Sequence, residues 1–392
     1  MKKEYRYNHK GFYKVGSNHF KSKLEACLEL NSIPGDHHLH WDYHEDMFSK
    51  ARWQDEPPVS ILELYKQRAL QLREQYDHLV LCYSGGADSH TVLQAFINNN
   101  IKIDEILIYG AFKAEEEVIK KLRFDREPGY YSRETLHNAM PVIKELQKTH
   151  KFKITKFDYT DSVVASYKDP DWMWEKWQGI GETAYTLGGR DQPNTVMFDD
   201  ESEWKGKKRG FVFGVDKPRL LRDDHSIYVA FIDSLIGFLH RYENCDFFYW
   251  SPNMPEIVIK QAHMIYKSLK ETNRLHELTN INHLASYNRE IQERLIIPVI
   301  YPMWNKNVWQ IKKPSNPIAS ETLKWVFDSA KTKETKKQWF ASIKEVERQL
   351  GGRHFINNSV MSGLTGCYSK FYKIADISAD SSRITVDSDR TL

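Results

Sequence analysis

The chain has 392 residues, of which 28% are charged and 41% are hydrophobic, and its formal net charge is +3. This length allows a large core and predicts two or three domains, and the composition fits an ordinary soluble globular protein. The small net charge does not indicate nucleic acid or a membrane as a partner, and it excludes neither.

Several common sequence signals are missing. The four cysteines do not form a C-x-x-C pair, so the sequence shows no zinc ribbon and no redox pair. The first residues, MKKEYRYNHKGFY, contain no apolar segment of the secretory type. There is also no run of about 18 apolar residues, the length that a membrane span needs. We therefore expect a cytoplasmic protein with no membrane partner.

Residues 1–58 are predicted to be an irregular N-terminal extension. Residues 22–31 are the exception, since Ser22 and Glu25 have the spacing of a helix-capping box. The histidine-rich stretch 37–44 matches no zinc signature, and we interpret it as a polar loop. Pro57-Pro58 marks a boundary, and a helix is predicted directly after it, over residues 59–76.

Strands and helices then alternate through residues 59–250. The predicted strands are 79–83, 103–109, 152–157, 210–215 and, as a candidate fifth, 227–232, and the predicted helices include 89–99 and 132–149. This alternation predicts right-handed βαβ units and an α/β domain with a mainly parallel, doubly wound sheet.

After residue 250 the pattern becomes mostly helical. The predicted helices are 256–272, 286–294, 320–331 and 336–350. We therefore expect residues 251–392 to form a helical C-terminal region. The polar tail from Asp376 is expected to fray or to pair as a terminal strand.

The turn after the first predicted strand of the α/β domain has an unusual composition, Ser84-Gly85-Gly86-Ala87-Asp88-Ser89. The first N–H groups of a helix lack partners and favour an anion, and glycine lets the backbone approach a phosphate closely. A carboxylate would repel that phosphate unless a divalent cation lay between them. Asp88 is therefore a predicted Mg²⁺ ligand.

This turn lacks the lysine of a Walker loop and the G-x-G-x-x-G spacing of a dinucleotide fingerprint. It resembles the PP-loop, S-G-G-x-D-S, of the N-type ATP pyrophosphatases, which belong to the HUP or adenine nucleotide alpha hydrolase-like superfamily. The asparagine-synthetase-like and phosphoadenylylsulfate-reductase-like members are nearest in style. The resemblance implies that ATP is cleaved between its α and β phosphates and that the loop residues hold pyrophosphate and Mg²⁺; by position these are Ser84, Gly85, Gly86, Ala87, Asp88 and Ser89, with Tyr83 before them.

Two further segments are predicted to reach the same edge of the sheet. Tyr109-Gly110 follows the second strand, where the backbone is expected to contact the adenine. The Asp-Thr-Gly-like turn of several relatives is not present there, which argues against a reductase-type substrate site. After the fourth strand, Asp216 is predicted to complete the Mg²⁺ site, and Lys217 and Arg219 to stabilise the α-phosphate and the leaving pyrophosphate.

We therefore expect an enzyme that uses ATP and Mg²⁺ to adenylate a carboxylate or carbonyl and then transfers an amine or ammonia, with Asp88, Asp216, Lys217 and Arg219 as catalytic residues. Position 2 is Lys, so the nucleophile of a class II glutaminase is not visible. The acceptor is expected to be a small molecule or a nucleobase. Nucleic acid is not favoured despite the basic run 205–209, and a homo-oligomer is compatible with the sequence.

Two alternatives stay open at this point. One is a sulfur-transfer or sulfonucleotide reductase-like enzyme with Cys367 as nucleophile, although the residues around Cys367 differ from those of the reductases. The other is a non-catalytic nucleotide-binding module, against which the presence of Asp88 argues.

Overall fold

A computed structural model describes residues 11–20, 23–34, 39–110, 112–122, 138–158, 160–161, 206–214, 217–233, 244–282, 295–304, 325, 328–329 and 367–377. The strands within these ranges are β1 (Phe12–Val15), β2 (Asn18–Phe20), β3 (His40–Asp42), β4 (His78–Cys82), β5 (Glu105–Gly110), β6 (Lys153–Asp158), β7 (Arg209–Phe213), β8 (Arg219–Arg222), β9 (Ser226–Ala230), β10 (Cys245–Phe247), β11 (Thr279–Asn280) and β12 (Tyr372–Asp376). The helices are α1 (Lys23–Ser32), α2 (Glu45–Phe48), α3 (Ile61–Gln75), α4 (Ala87–Ile97), α5 (Phe112–Leu122), α6 (Met140–Leu146), α7 (Glu256–Glu271) and α8 (Ile297–Ile300).

The central sheet has five strands in the order β10-β7-β4-β5-β6, and all four neighbouring pairs are parallel. Strand β4, the first of these five strands along the chain, lies in the middle of the sheet. The next two strands are added on one side of it, and the last two on the other. The winding therefore reverses between β4 and β7, as in a doubly wound α/β domain, and the prediction of such a sheet is confirmed. In sheets of this kind, ligands bind at the carboxyl ends of the strands next to this reversal.

The middle of the sheet is apolar because both of its faces are covered. Leu79, Val80 and Leu81 of β4 are fully buried, as are Phe211 and Val212 of β7. Helices α3 and α4 pack against each other, and α7 packs against α3. The core is continuous with the buried side chains of the N-terminal strands.

Helix α3 also fixes the chain that follows β10. The helix begins after Ser60, whose Oγ accepts a hydrogen bond from the Glu63 amide at 3.2 Å. Its buried Arg68 donates to the main-chain oxygens of Phe247 at 2.9 Å and Phe248 at 3.3 Å. These bonds hold the start of the segment that carries Tyr249.

Two smaller sheets were not predicted. The first has the order β2-β1-β3, so residues 1–58 include a sheet and not only irregular chain. The second has the order β11-β8-β9-β12. The candidate fifth strand, 227–232, corresponds to β9, which pairs antiparallel with β8 in this second sheet. The fifth parallel strand is instead β10, which has only three residues. A pattern of that length carries almost no periodic signal.

The C-terminal region is not described as a helical domain. The predicted helix at 256–272 is confirmed as α7, and residues 325, 328 and 329 are helical. The predicted helices at 286–294 and 336–350 lie outside the described residues. Strand β12 ends at Asp376 and pairs antiparallel with β9, and the tail beyond residue 377 lies outside the described residues. Within the part of the chain that the structure describes, no helix has the length and apolar character that crossing a membrane requires.

Candidate functional site

The loop between β4 and α4 has a tight, glycine-dependent backbone. Gly85 has a φ of +85°, a conformation that favours glycine. Gly86 is the N-cap of α4 in an extended conformation, and no side chain caps the helix there. The first turn of α4 therefore has N–H groups that no capping side chain occupies, which is the requirement for binding an anion.

Two serine hydroxyls brace this loop. The Oγ atoms of Ser84 and Ser89 lie 3.1 Å apart, and Ser89 Oγ also accepts from the Ser84 amide at 3.2 Å. The Gly86 amide donates to Ser84 Oγ at 3.3 Å. Ser84 is exposed while Ser89 is buried. The pair thus links the solvent-facing entrance of the loop to the first turn of α4.

Asp88 and Lys217 form an ion pair beside the carboxyl ends of the neighbouring strands β4 and β7. Lys217 Nζ lies 2.9 Å from both Oδ1 and Oδ2 of Asp88. Asp88 is 28% exposed and Lys217 is 12% exposed, so the pair is partly open to solvent. The two residues are 129 positions apart in the chain, and the parallel pairing of β4 with β7 places both at the carboxyl edge. The predicted proximity of these two residues is therefore present in the fold.

Gly214, directly after β7, makes this close approach feasible. A Cβ atom at this position would lie 2.9 Å from the carbonyl carbon of Asp88 and from two backbone atoms of Ser89. Any side chain here would push the end of β7 away from the first turn of α4. No local pattern in the sequence marks Gly214 for this role, because a contact with another segment leaves no local signal.

Two tyrosines from the C-terminal half hold Asp88 from the buried side. The Tyr301 hydroxyl donates a short hydrogen bond to Asp88 Oδ1, and the Tyr249 hydroxyl donates to the main-chain oxygen of Asp88 at 2.7 Å. Burial and then the negative charge of Asp88 raise the pKa of Tyr301 well above its ordinary value. Burial is also the main cause that raises the pKa of Tyr249. Both side chains are therefore neutral donors at neutral pH, and sequence reasoning missed both.

His90 lies two residues after Asp88 in helix α4. Nδ1 of His90 is 3.0 Å from the hydroxyl of Tyr83, and its ring meets the ring of Trp304 edge to face at 5.8 Å. Burial lowers the pKa of His90 from 6.5 to about 4, so this ring is neutral at neutral pH. The Tyr83 side chain is buried. Its predicted nucleotide contact would therefore involve its main chain.

The remaining predicted site residues have different outcomes. Tyr109 and Gly110 end β5, the strand next to β4, and both are half-buried at the carboxyl edge. Arg219 begins β8 in the second sheet, where its charge opposes the rise in the pKa of Tyr368 that burial causes. Its predicted contact with phosphate stays a prediction. Asp216 lies outside the described residues, so the second predicted Mg²⁺ ligand cannot be placed.

Other candidates from the sequence are less accessible or less organised. Cys367 is buried, and its amide donates to the carboxylate of buried Asp233 at 3.2 Å. His40 pairs with Glu45 at 3.4 Å, whereas His37 and His38 lie outside the described residues. Within the described ranges, no three His, Cys, Asp or Glu side chains are grouped as a metal site.

No protein family model matches this chain, and no curated protein is significantly similar to it.

Proposed function

We propose that the protein is an ATP pyrophosphatase-type adenylating enzyme with a HUP-like α/β domain. A substrate carboxylate or carbonyl oxygen would attack the α-phosphorus of ATP and release pyrophosphate, and an amine or ammonia would then displace AMP from the resulting adenylate. The observation that carries the proposal is the meeting of Asp88 and Lys217 at the winding reversal of the sheet, beside the uncapped start of α4.

The chain's own groups suit a polyphosphate at this position. The first N–H groups of α4 and the hydroxyl of exposed Ser84 offer hydrogen-bond donors. Lys217 supplies a positive charge where negative charge would build up on the leaving pyrophosphate. The same ammonium group also balances the charge of Asp88. Phosphate oxygens would compete with Asp88 for it.

The residues also fit Mg²⁺. This ion is usually held by one or two carboxylates together with substrate phosphates, so a cluster of three protein ligands is not needed. Asp88 is a partly exposed carboxylate with hard oxygen atoms, and Asp216 is the second predicted ligand. When bound, Mg²⁺ would neutralise phosphate charge and thereby remove the repulsion between ATP and Asp88.

Two alternatives remain distinct from this proposal. A sulfur-transfer enzyme would need a reactive cysteine, and the described cysteines Cys82, Cys245 and Cys367 are all buried. Burial also raises the pKa of Cys82 well above its ordinary value, which disfavours the reactive thiolate. A module that only binds nucleotide would retain ATP binding without releasing pyrophosphate.

The test is to supply ATP and Mg²⁺ with pools of carboxylic acids, amino acids and nucleosides, with ammonia present, and to measure AMP and pyrophosphate. We expect release in one pool and its loss in Lys217→Met. The matched control is Lys260→Met, because Lys260 is 14% exposed and also pairs with a carboxylate, Glu56, at 2.7 Å. Formation of ADP and phosphate, or equal losses in both variants, would contradict the proposal.

A further inference from the structure

Asp88 is fixed at two different atoms by two buried tyrosines. Tyr301 donates to the side-chain oxygen Oδ1, and Tyr249 donates to the main-chain oxygen. One bond limits rotation of the carboxylate, and the other limits movement of the first turn of α4. Both phenol rings are fully buried, and their centroids lie 5.5 Å apart. The two donors therefore form one rigid unit beneath the loop.

This unit is itself supported from two helices. Tyr65 of α3 donates to the main-chain oxygen of Ile300 at 2.8 Å, directly before Tyr301. Gln261 of α7 donates to the Tyr65 hydroxyl at 2.8 Å. Such a chain of buried hydrogen bonds restricts the position of its last member. The position of Tyr301 is thus set by the packing of α3 and α7.

The two oxygens of Asp88 have different surroundings. Tyr301 contacts Oδ1, whereas Lys217 contacts both Oδ1 and Oδ2. If the ammonium group of Lys217 turned to a phosphate, Oδ1 would keep the hydrogen bond from Tyr301. Oδ2 would then be the oxygen that a cation could approach.

We propose that Tyr301 and Tyr249 are positioning residues that hold the Asp88 carboxylate with Oδ2 directed to a divalent cation. This inference depends on the proposed function of the loop. Hydrogen bonds that orient a metal-binding carboxylate typically change metal affinity 10–100-fold when they are removed. The two hydroxyls would thus act on cation binding through Asp88, without touching the substrate.

The test measures the Mg²⁺ concentration that gives half-maximal binding of an ATP analogue with a methylene bridge between its α and β phosphates. Calorimetry on the full chain gives this value without turnover. We expect Tyr301→Phe to raise it about 10-fold. Tyr249→Phe should raise it less, about 3-fold, because this hydroxyl contacts only the main chain of Asp88. If Tyr301→Phe does not fold, Tyr249→Phe keeps the inference testable.

Tyr13→Phe is the matched control. Tyr13 is also a buried tyrosine, and its hydroxyl donates to a carboxylate, that of Asp233, at 2.9 Å. Removing this hydroxyl should leave the Mg²⁺ requirement unchanged. Equal shifts in the Tyr13 and Tyr301 variants, or no shift in either site variant, would overturn the positioning role.

The outcomes separate this inference from the proposed function. Suppose that the wild type binds the analogue with Mg²⁺ and releases pyrophosphate from ATP. If the phenylalanine variants then need the same Mg²⁺ concentration as the wild type, only the positioning role fails. If the wild type binds the analogue and the variants shift, but no pool gives pyrophosphate, the proposed catalysis fails and the positioning role stands. If the wild type does not bind the analogue, both are overturned.

Discussion

The amino and carboxyl ends of the parallel strands each carry a carboxylate with at least one basic partner, but the two groups of residues are built differently. At the amino edge, Glu105 of β5 is 1% exposed and lies 3.1 Å from His78, 3.3 Å from Arg209 and 3.9 Å from Lys153. These four residues begin four of the five strands. At the carboxyl edge, Asp88 is 28% exposed and contacts Lys217, which comes from a loop.

The difference fits the proposal that Asp88, and not Glu105, serves a ligand. The partners of Glu105 are fixed by strand pairing, since His78 pairs with Arg209 and Glu105 with Lys153 in the register of the sheet. Asp88 accepts a hydrogen bond from Tyr301 at Oδ1 and pairs with a lysine from a loop. It is also more exposed than Glu105, as a carboxylate that meets a ligand would be.

The largest expected effect is on catalysis at the carboxyl edge. Asp88→Asn keeps the shape of the side chain and can still accept from Tyr301, but it removes the charge that would bind Mg²⁺ in the proposed function. We expect pyrophosphate release to fall by roughly 10³-fold with little change in the urea midpoint. A variant that retains more than a tenth of wild-type turnover would show that Asp88 is not the functional carboxylate.

The amino edge should respond in the opposite way. Glu105→Gln leaves the guanidinium group of Arg209 without its buried counter-charge and removes the carboxylate that contacts His78, so we expect a loss of about 3 to 5 kcal/mol in the free energy of unfolding by urea. Burial by itself would raise the pKa of Glu105, but hydrogen bonds from Thr155 and His78 and the nearby cations lower it overall. Its contribution to stability is therefore present above about pH 4.3 and is lost as the pH falls through the folded-state pKa.

Glu145→Gln provides the comparison for that experiment. Glu145 pairs with Lys148 on an exposed helix surface, where an ion pair contributes little. We expect a change below about 1 kcal/mol. A loss of similar size in both variants would remove the contrast between the buried cluster and the surface.

His90 should make stability depend on mildly acidic pH. Burial lowers its pKa from 6.5 to about 4, so between these values the unfolded chain binds a proton that the folded chain does not. Stability is complete above about pH 6.5 and decreases as the pH falls toward 4, by about 3 kcal/mol from this group. His90→Gln should reduce the dependence of the urea unfolding free energy on pH across this range. An unchanged slope would contradict the assignment.

A smaller effect on stability than at Glu105 is expected at Gly214, where two segments approach closely. Gly214→Ala introduces a Cβ that lies 2.9 Å from the backbone of Asp88 and Ser89, so we expect about 1 to 3 kcal/mol of destabilisation and lower pyrophosphate release. The comparison is Gly206→Ala, where a Cβ would meet open space but the φ of +80° is strained for alanine. Stability should fall in both variants, and catalysis only at Gly214.

Local pattern was sufficient for much of the fold. The apolar run of β4, the helical periodicity of α3 and α7 and the glycine turn before α4 were all predicted to within one or two residues. These elements are long or chemically distinctive, so their signals do not depend on neighbours. The strand–helix alternation likewise predicted the parallel sheet, because parallel neighbours require crossover connections.

Only the tertiary structure decided which strands pair and which distant residues contact Asp88. The three residues of β10 are too few to give a periodic signal. The residue pattern of β9 would suit the parallel sheet as well as the antiparallel pairing that it makes with β8, so the sequence could not assign the fifth parallel strand.

The sequence by itself determined the glycine turn before α4 and its acidic residue, since the spacing of small and polar residues is local. The tertiary structure alone brought Tyr249 and Tyr301 onto Asp88, from 161 and 213 positions away. Such contacts arise from how helices pack on a sheet, and no local pattern encodes them.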